Sequence, residues 1–219
     1  MELSGKKIAF LGDSITEGVG VSSVEKTYWN LVGQKTGAKV YGYGIGGTRI
    51  AKNHLPGNNP YVDANWFGSR VETMIPDADI VIVFGGTNDF GHGDAPIGTM
   101  KDRTNDTFYG AYHMLLQQLI HRYPCAQLVV MTPLHRCGEE DMPFNSVGVR
   151  RQGTLKRYVE VIREVAEFYS VPVADLFAES GIQPQVELIR EMYVPDGLHP
   201  NDAGHVKIAN CLLRTLARL

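Results

Sequence analysis

Cysteine is scarce in this sequence, with three residues among 219, at positions 125, 137 and 211. Their spacing follows none of the paired patterns of a zinc site, and three thiols cannot form the even-numbered framework of a small disulfide-rich domain. A chain of this length buries a substantial core without such cross-links. We therefore expect free thiols in a reduced compartment.

Long apolar runs and a strong excess of one charge sign are also missing. No stretch approaches the roughly 18 apolar residues of a membrane-spanning helix, and the apolar run near the N-terminus is too short for a secretory signal. The net charge of −3 provides no electrostatic attraction to nucleic acid or to an anionic membrane. These absences predict a cytoplasmic protein without nucleic-acid or membrane partners, and they leave the oligomeric state open.

Short apolar runs alternate with longer amphipathic segments along the chain, without repeats or a linker. The apolar runs predict five strands, within residues 6–11, 38–44, 78–86, 126–133 and 171–177. Helical spacing lies between them, and Asn201 has the position of an N-cap for a last helix. This alternation predicts one α/β domain over residues 1–219, with a five-stranded parallel sheet and helices on both faces.

Glycine and polar residues cluster where four of these strands end. Gly12-Asp13-Ser14 follows the first strand, GYGIGGTR (42–49) the second and GGTNDF (85–90) the third, while PDGLHPN (195–201) follows the fifth and precedes the last helix. Ligands of parallel sheets bind at the carboxyl ends of the strands. We therefore expect the four segments to meet in one site.

Together the four segments resemble the four sequence blocks of the SGNH hydrolases, the GDSL esterase and lipase family, over nearly the whole chain. The resemblance implies a flavodoxin-like three-layer α/β/α sandwich and an esterase without a cofactor. It implies that Ser14 is the nucleophile and that Asp196 and His199 are the orienting acid and the general base. It also implies an oxyanion hole formed by the N–H groups of Ser14 and Gly47 and the side-chain amide of Asn88.

Two positions depart from the family pattern. Ile15 stands where the GDSL motif has leucine, which is an exchange of one apolar residue for another. Gly42 stands where the family often has an asparagine, five positions before the glycine of the second block. The second exchange alters how the second loop is held.

The residue types suit acyl transfer without the family name. A serine hydroxyl is a weak nucleophile until a base takes its proton, and histidine does this best near neutral pH. A carboxylate on the other ring nitrogen fixes the tautomer and stabilises the imidazolium. Asp196 lies three positions before His199, so in a turn or at the start of a helix the two side chains share a face.

Several residues of these segments also have structural interpretations when each is taken alone. Ser14 taken alone is typical of a helix N-cap. Asp13 and Asp89 are expected to bind nearby backbone amides and to brace their loops. His54, His92 and His135 show no ligand spacing, so we predict no metal.

Gly42, Gly44 and Gly47 match the Gly-x-Gly-x-x-Gly pattern of dinucleotide sites. That motif requires a helix directly after it, following the first strand of the unit. Here the pattern follows the second strand, and the next segment contains Pro56 and Gly57, which exclude a clean helix. We therefore predict no dinucleotide cofactor.

The substrate is predicted from two polar loops, residues 54–68 and 91–103, expected to wall the site. Arg49, Asn53, Asp63 and Trp66 offer hydrogen bonds and a flat face of the kind found in sugar sites, so we predict that Arg49 and Trp66 bind substrate. Neither loop carries the sustained apolar wall that a long acyl chain needs. We expect a short acyl group, acetyl, on a carbohydrate or similar small polar alcohol.

Three alternatives stay open at this point. An acyltransferase would use the same residues with a sugar hydroxyl as acceptor. A lipase or thioesterase would result if Met142, Phe144 and Val147 lined an apolar slot over Ser14. A non-catalytic binding module with this fold is disfavoured, because all the chemically required positions are occupied.

Overall fold

The strands form one sheet in the computed structural model, which describes residues 2–55, 59–140, 144–149 and 152–219. Within those residues the sheet has five strands, all parallel, in the order β2-β1-β3-β4-β5. The strands are β1 (Lys7–Gly12), β2 (Lys39–Gly44), β3 (Ile80–Phe84), β4 (Gln127–Met131) and β5 (Val173–Ala174). The predicted parallel α/β sheet is confirmed.

The strand order reverses direction around β1. The chain runs from β1 to β2 on one side and then crosses to β3 on the other, with Phe10 opposite Gly42 in β2 and Ile82 in β3. A reversal of this kind opens a crevice outside the carboxyl ends of the two central strands. The segments after β1, β2 and β3 therefore lie around that crevice.

Helices connect the strands, and the long ones lie where the sequence predicted them. The α-helices are α1 (Ser14–Glu17), α2 (Tyr28–Thr36), α3 (Pro60–Ala64), α4 (Phe67–Arg70), α5 (Thr87–His92), α6 (Phe108–Arg122), α7 (Leu155–Phe168), α8 (Leu176–Glu179), α9 (Glu187–Tyr193) and α10 (Asp202–Leu216). Asn201 caps α10 by accepting the Gly204 N–H at 3.1 Å, as predicted. Within the described chain, no helix combines the length and apolarity needed to cross a bilayer.

Alternate side chains of the strands enter two separate cores. Ala9 and Leu11 face a core built with α6 and α7, whereas Ile8 and Phe10 face a core built with α2 and α10. Strand side chains point alternately to the two faces of a sheet, so this division is what three packed layers require.

The fifth strand is much shorter than the apolar run that predicted it. Asp175 follows it directly and caps α8, because its carboxylate accepts the Ala178 N–H at 3.2 Å. The same carboxylate accepts a hydrogen bond from Thr132, the residue after β4, at 3.0 Å. The cap turns the chain out of the sheet after two residues.

Candidate active site

Ser14 stands at the carboxyl end of β1, as the first residue of α1. Asp13 caps this short helix through its carboxylate, which accepts the Ile15 N–H at 3.0 Å. Gly12 permits the tight approach of strand and helix, because a Cβ atom there would lie 1.9 Å from the Thr16 hydroxyl oxygen. The turn therefore requires glycine, and it presents Ser14 at the crevice.

A chain of hydrogen bonds joins Ser14, His199 and Asp196. The Ser14 Oγ lies 3.2 Å from His199 Nε2, and His199 Nδ1 lies 2.7 Å from Asp196 Oδ2. Because the carboxylate can only accept, the Nδ1 atom carries the proton and Nε2 keeps its lone pair toward Ser14. The structure thus brings together the three residues predicted as nucleophile, base and orienting acid.

Asp196 is held in its ionised form by its surroundings. Partial burial raises the pKa of this carboxyl, but the backbone N–H of His199, its ring and the Leu198 N–H outweigh that effect. Asp196 Oδ1 accepts the two backbone N–H groups at 2.6 and 2.8 Å, and the net pKa lies below its ordinary value. The carboxylate is therefore charged at neutral pH and available to the imidazole.

The loop after β2 supplies a glycine N–H donor that is not used among the described residues. The Gly46 N–H donates to the Glu17 carboxylate at 2.8 Å, while the Gly47 N–H has no acceptor among the described residues. Gly47 has φ +75°, a left-handed conformation that glycine adopts without strain. The hydrogen bonds therefore leave Gly47, and not Gly46, available to a ligand.

Asn88 lies in the first turn of α5 and is buried. Its amide nitrogen donates to the Thr48 carbonyl at 3.0 Å, and a second amide hydrogen remains. The Ser14 N–H likewise has no acceptor in the described part of the chain. Three N–H donors from the ends of β1, β2 and β3 therefore surround the crevice.

A buried arginine that the sequence did not single out holds two of these strand ends. Arg70, at the end of α4, donates to the carbonyls of Gly12 and Tyr43 at 3.0 and 2.7 Å, and to the Thr48 hydroxyl at 3.0 Å. Burial lowers the pKa of this guanidinium to about 10, so it stays charged at neutral pH. Since Thr48 also accepts the Asn88 amide, Arg70 orders the loop that carries Gly47.

The two aspartates predicted as structural do bind backbone amides. Asp89 accepts the N–H groups of Ile50 and Ala51 at 3.1 and 2.8 Å, tying α5 to the loop after β2. Burial raises the pKa of both Asp13 and Asp89 to about 6, against the opposing effect of these hydrogen bonds. Both carboxyls are thus less acidic than an exposed aspartate.

A cleft of about 460 Å³ opens beside Gly47. Its walls include three of the predicted substrate-binding residues, Arg49, Asn53 and Asp63. Arg49 is buried, and its guanidinium contacts the Asp63 carboxylate and lies 3.0 Å from His92 Nδ1. The cleft therefore joins a polar, charged cluster to a candidate oxyanion donor.

Trp66 does not line this cleft. Its ring folds back over α4, where atoms of its six-membered ring lie 2.3 Å from the position of a Cβ built on Gly68. Trp66 is the N-cap residue of α4, and its ring packs against Gly68 of that helix. The structure thus does not bring Trp66 to the other predicted substrate-binding residues.

The segment that was predicted to form an apolar slot is only partly described. Met142 lies outside the described residues, Phe144 is exposed, and Val147 lines the cleft. Leu55, Val62 and Val149 line it as well. The cleft therefore has aliphatic side chains beside its polar cluster.

A second hollow lies on the other side of Ser14. Asp13 and Ile15, which flank the serine, and Leu198, which precedes the histidine, line it together with Phe84 and Leu134. The space is too narrow to hold a water molecule. Of these two spaces, only the cleft beside Gly47 is wide enough to hold a ligand.

No cluster of three or more histidine, cysteine, aspartate or glutamate side chains within residues 2–55, 59–140, 144–149 and 152–219 is arranged to hold a metal ion. Residues 48–55, directly after the glycine pattern at 42–47, form no helix, and the next described helix is α3, beginning at Pro60. This geometry lacks the helix N-terminus of a dinucleotide site.

The pattern of the GDSL-like lipase/acylhydrolase family matches residues 10–207. The chain belongs to this family. The GDSL-like fold and the esterase chemistry implied by the four sequence blocks are thereby confirmed, and the chain is a carboxylic ester hydrolase.

Individual relatives cover most of the GDSL-like chain. A GDSL lipase of Mycobacterium tuberculosis is 27% identical over 93% of this chain and 78% of the relative. An acetylxylan esterase of Geobacillus stearothermophilus is 26% identical over 97% of this chain and 94% of the relative. A solved structure of a protein from Lactobacillus plantarum is 30% identical and has a TM-score of 0.82, and the match covers 99% of this chain and 98% of that protein.

Proposed function

We propose that this GDSL-family hydrolase is a serine esterase that cleaves acetyl or similarly short acyl esters of a small polar alcohol, such as a carbohydrate. The observation that carries the proposal is the hydrogen-bonded series Ser14, His199 and Asp196 beside three unused N–H donors. Ser14 is the nucleophile, His199 the general base and Asp196 its orienting acid.

In the first step, His199 Nε2 takes the proton of Ser14 as Oγ attacks the ester carbonyl carbon. The imidazolium that forms is stabilised by the Asp196 carboxylate at 2.7 Å. The proton on Nε2 is then passed to the alcohol oxygen as the C–O bond breaks. The alcohol departs and the acyl group remains on Ser14.

The negative charge that develops on the carbonyl oxygen needs donors in fixed positions. The Ser14 N–H, the Gly47 N–H and the second amide hydrogen of Asn88 supply them. Their orientation is maintained by the bonds described above, from Asn88 to Thr48 and from Gly46 to Glu17. In the second step, His199 removes a proton from water, which attacks the acyl carbon and releases the acid.

Two features of the structure support a short acyl group. The hollow beside Ile15 and Leu198 has no room for a chain, so we expect the acyl group and the alcohol to share the cleft beside Gly47. Arg49, Asn53 and Asp63 on that cleft suit hydroxyl groups better than a fatty tail. The acetylxylan esterase of Geobacillus stearothermophilus, by its name, provides a relative with this kind of substrate.

A longer acyl chain is the second candidate, and one observation favours it. Leu55, Val62, Val147 and Val149 line the same cleft, and a relative from Mycobacterium tuberculosis bears the name of a lipase. Each methylene buried against such side chains stabilises binding by about 0.8 kcal/mol. A butyryl or octanoyl chain lying along them would therefore gain affinity.

The two candidates are separated by kcat/KM for the acetyl, butyryl, octanoyl and palmitoyl esters of 4-nitrophenol, followed by acetylated methyl glycosides. The proposal expects the maximum at acetyl or butyryl and activity on the glycosides. A maximum at octanoyl or beyond would replace it with the second candidate. Val147→Asn and Val62→Asn serve as matched variants, since either lowers the octanoyl rate specifically if that chain lies along the cleft.

A further inference from the structure

The cleft beside Gly47 carries charges that bear on which alcohols can enter it. Arg49 is its one guanidinium among the described lining residues, no lysine lines it there, and the carboxylates of Asp63 and Asp94 do. Arg49 is 5% exposed and contacts Asp63 directly. The positive charge of Arg49 is therefore already paired, and the second carboxylate, that of Asp94, is held by the backbone N–H groups of His54 and Leu55.

His92 adds a hydrogen-bond donor to this cleft without adding charge. Arginine cannot accept a hydrogen bond, so Arg49 donates to His92 Nδ1 at 3.0 Å and the ring proton resides on Nε2. Burial and the neighbouring guanidinium groups of Arg49 and Arg136 lower the pKa of His92 to about 4. The imidazole is consequently neutral at pH 7.

Two buried polar atoms of the same cluster have no partner among the described residues. They are Arg49 Nε, a donor, and Asn53 Oδ1, an acceptor, and both residues line the cleft. An unpaired buried donor or acceptor is costly, so an ordered water or a ligand group is expected to satisfy these atoms. A hydroxyl both donates and accepts, whereas a carboxylate or phosphate oxygen only accepts.

We infer that the cluster of Arg49, Asp63, His92 and Asn53 selects uncharged, hydroxyl-bearing alcohols and rejects esters whose alcohol carries a carboxylate or phosphate. This inference rests on the proposed esterase function and concerns the alcohol half of its substrate. An anionic alcohol would leave water to lie beside Asp94, and the one guanidinium among the described lining residues is already bound to Asp63. A neutral sugar meets no such repulsion.

The test compares kcat/KM for a mono-acetylated methyl glucoside and for the corresponding glucuronoside, which differs by one carboxylate. The wild-type protein is expected to favour the neutral ester by about tenfold or more at low salt, with the preference shrinking as ionic strength rises. Equal rates, or a preference for the glucuronoside, would overturn the inference. Activity on 4-nitrophenyl acetate, measured alongside, reports separately whether the proposed esterase function holds.

Asp63→Asn provides the sharper arm, because it releases the Arg49 guanidinium toward the cleft. The rate on the glucuronoside is expected to rise in absolute terms, reducing the preference by about fivefold. The matched control is Asp77→Asn, which removes the same charge from an exposed pair with Lys7 at the opposite end of the sheet. A preference that changes equally in both variants, or in neither, would contradict the inference; if Asp63→Asn fails to fold, the wild-type preference and its salt dependence decide.

Discussion

Two histidines border the candidate site, and their neighbours assign them opposite roles. His199 donates its Nδ1–H to the Asp196 carboxylate, so its Nε2 lone pair faces Ser14. His92 accepts a hydrogen bond from Arg49 at Nδ1, so its Nε2 carries the proton. The same kind of ring is thus predicted to be a base beside Ser14 and is a donor in the cleft beside Gly47, and the partner at Nδ1 decides which.

The charged groups near the two rings also differ, with carboxyl groups near His199 and guanidinium groups near His92. Asp196 and the buried Asp13 carboxyl lie on the side of His199, whereas the guanidinium groups of Arg49 and Arg136 act on His92 and help to lower its pKa to about 4. A positive charge on the ring of His92 is therefore disfavoured, whereas the ring of His199 faces a carboxylate.

The largest difference in turnover is expected between the glutamine variants of the two histidines. His199→Gln removes the base and should lower kcat on 4-nitrophenyl acetate by about three orders of magnitude. His92→Gln keeps an acceptor for Arg49 and an N–H donor, and should lower it by less than about tenfold. Steady-state kinetics of both variants check the contrast, and equal losses would show that it is wrong.

A smaller effect is expected from making the neighbourhood of His199 resemble that of His92. In Asp196→Asn the amide donates to Nδ1, which moves the ring proton to Nε2 and blocks its lone pair toward Ser14. The expected loss in kcat is on the order of a hundredfold, less than for His199→Gln. The variant should keep its fold, as checked by circular dichroism, and a loss under about threefold would remove Asp196 from the mechanism.

The pH dependence separates the two rings further. A base must be unprotonated to act, so kcat/KM of the wild type should rise with pH along a limb that belongs to His199. Because the pKa of His92 is about 4, His92→Gln should leave the position of that limb unchanged above pH 5. If the rise of kcat/KM with pH disappears in His92→Gln, the titrating group is His92 and the contrast is wrong.

The smallest effect on turnover is expected at Asp13, where the change is mainly one of stability. The folded-state pKa of about 6 lies above the unfolded value of 3.8, so the charged form is disfavoured by folding. The wild type therefore loses stability as pH rises from about 4 to 6, and Asp13→Asn, which can still accept the Ile15 N–H, does not.

Above pH 6 the Asp13→Asn variant is expected to be more stable than the wild type by about 3 kcal/mol, since the raised pKa of Asp13 already includes the attraction of Arg70. The difference should vanish near pH 4. Urea unfolding at pH 4, 5, 6 and 8 measures it, and a variant less stable than the wild type at pH 8 would show that burial does not dominate at this carboxyl.

The sequence predicted the sheet and the four segments at its edge because both signals are local. An apolar run such as Ile80–Phe84 and a turn such as Gly12-Asp13-Ser14 are each contained in a few residues. The order of those segments was sufficient to predict that Ser14, Asp196 and His199 meet, and the structure brings them within hydrogen-bond distance. The roles of these residues stay predictions, as does a cytoplasmic location.

The features that the sequence missed depend on contacts between distant segments. Arg70 lies in an unremarkable short helix, and only the fold shows that it binds the carbonyls of Gly12 and Tyr43. His92 has no ligand spacing, and its partner Arg49 is 43 positions away. Trp66 was expected at the site from its chemistry, but its packing over α4 is decided by the three-dimensional neighbourhood.

The most direct test of the central claim is covalent labelling of the serine. A fluorophosphonate reacts with a serine that an adjacent base activates, and intact-mass and peptide mass spectrometry locate the adduct. The account predicts a single adduct on Ser14 in the wild type and in the control Ser69→Ala, and none in Ser14→Ala or His199→Gln. An unlabelled wild type, or an adduct that persists in Ser14→Ala, would contradict it.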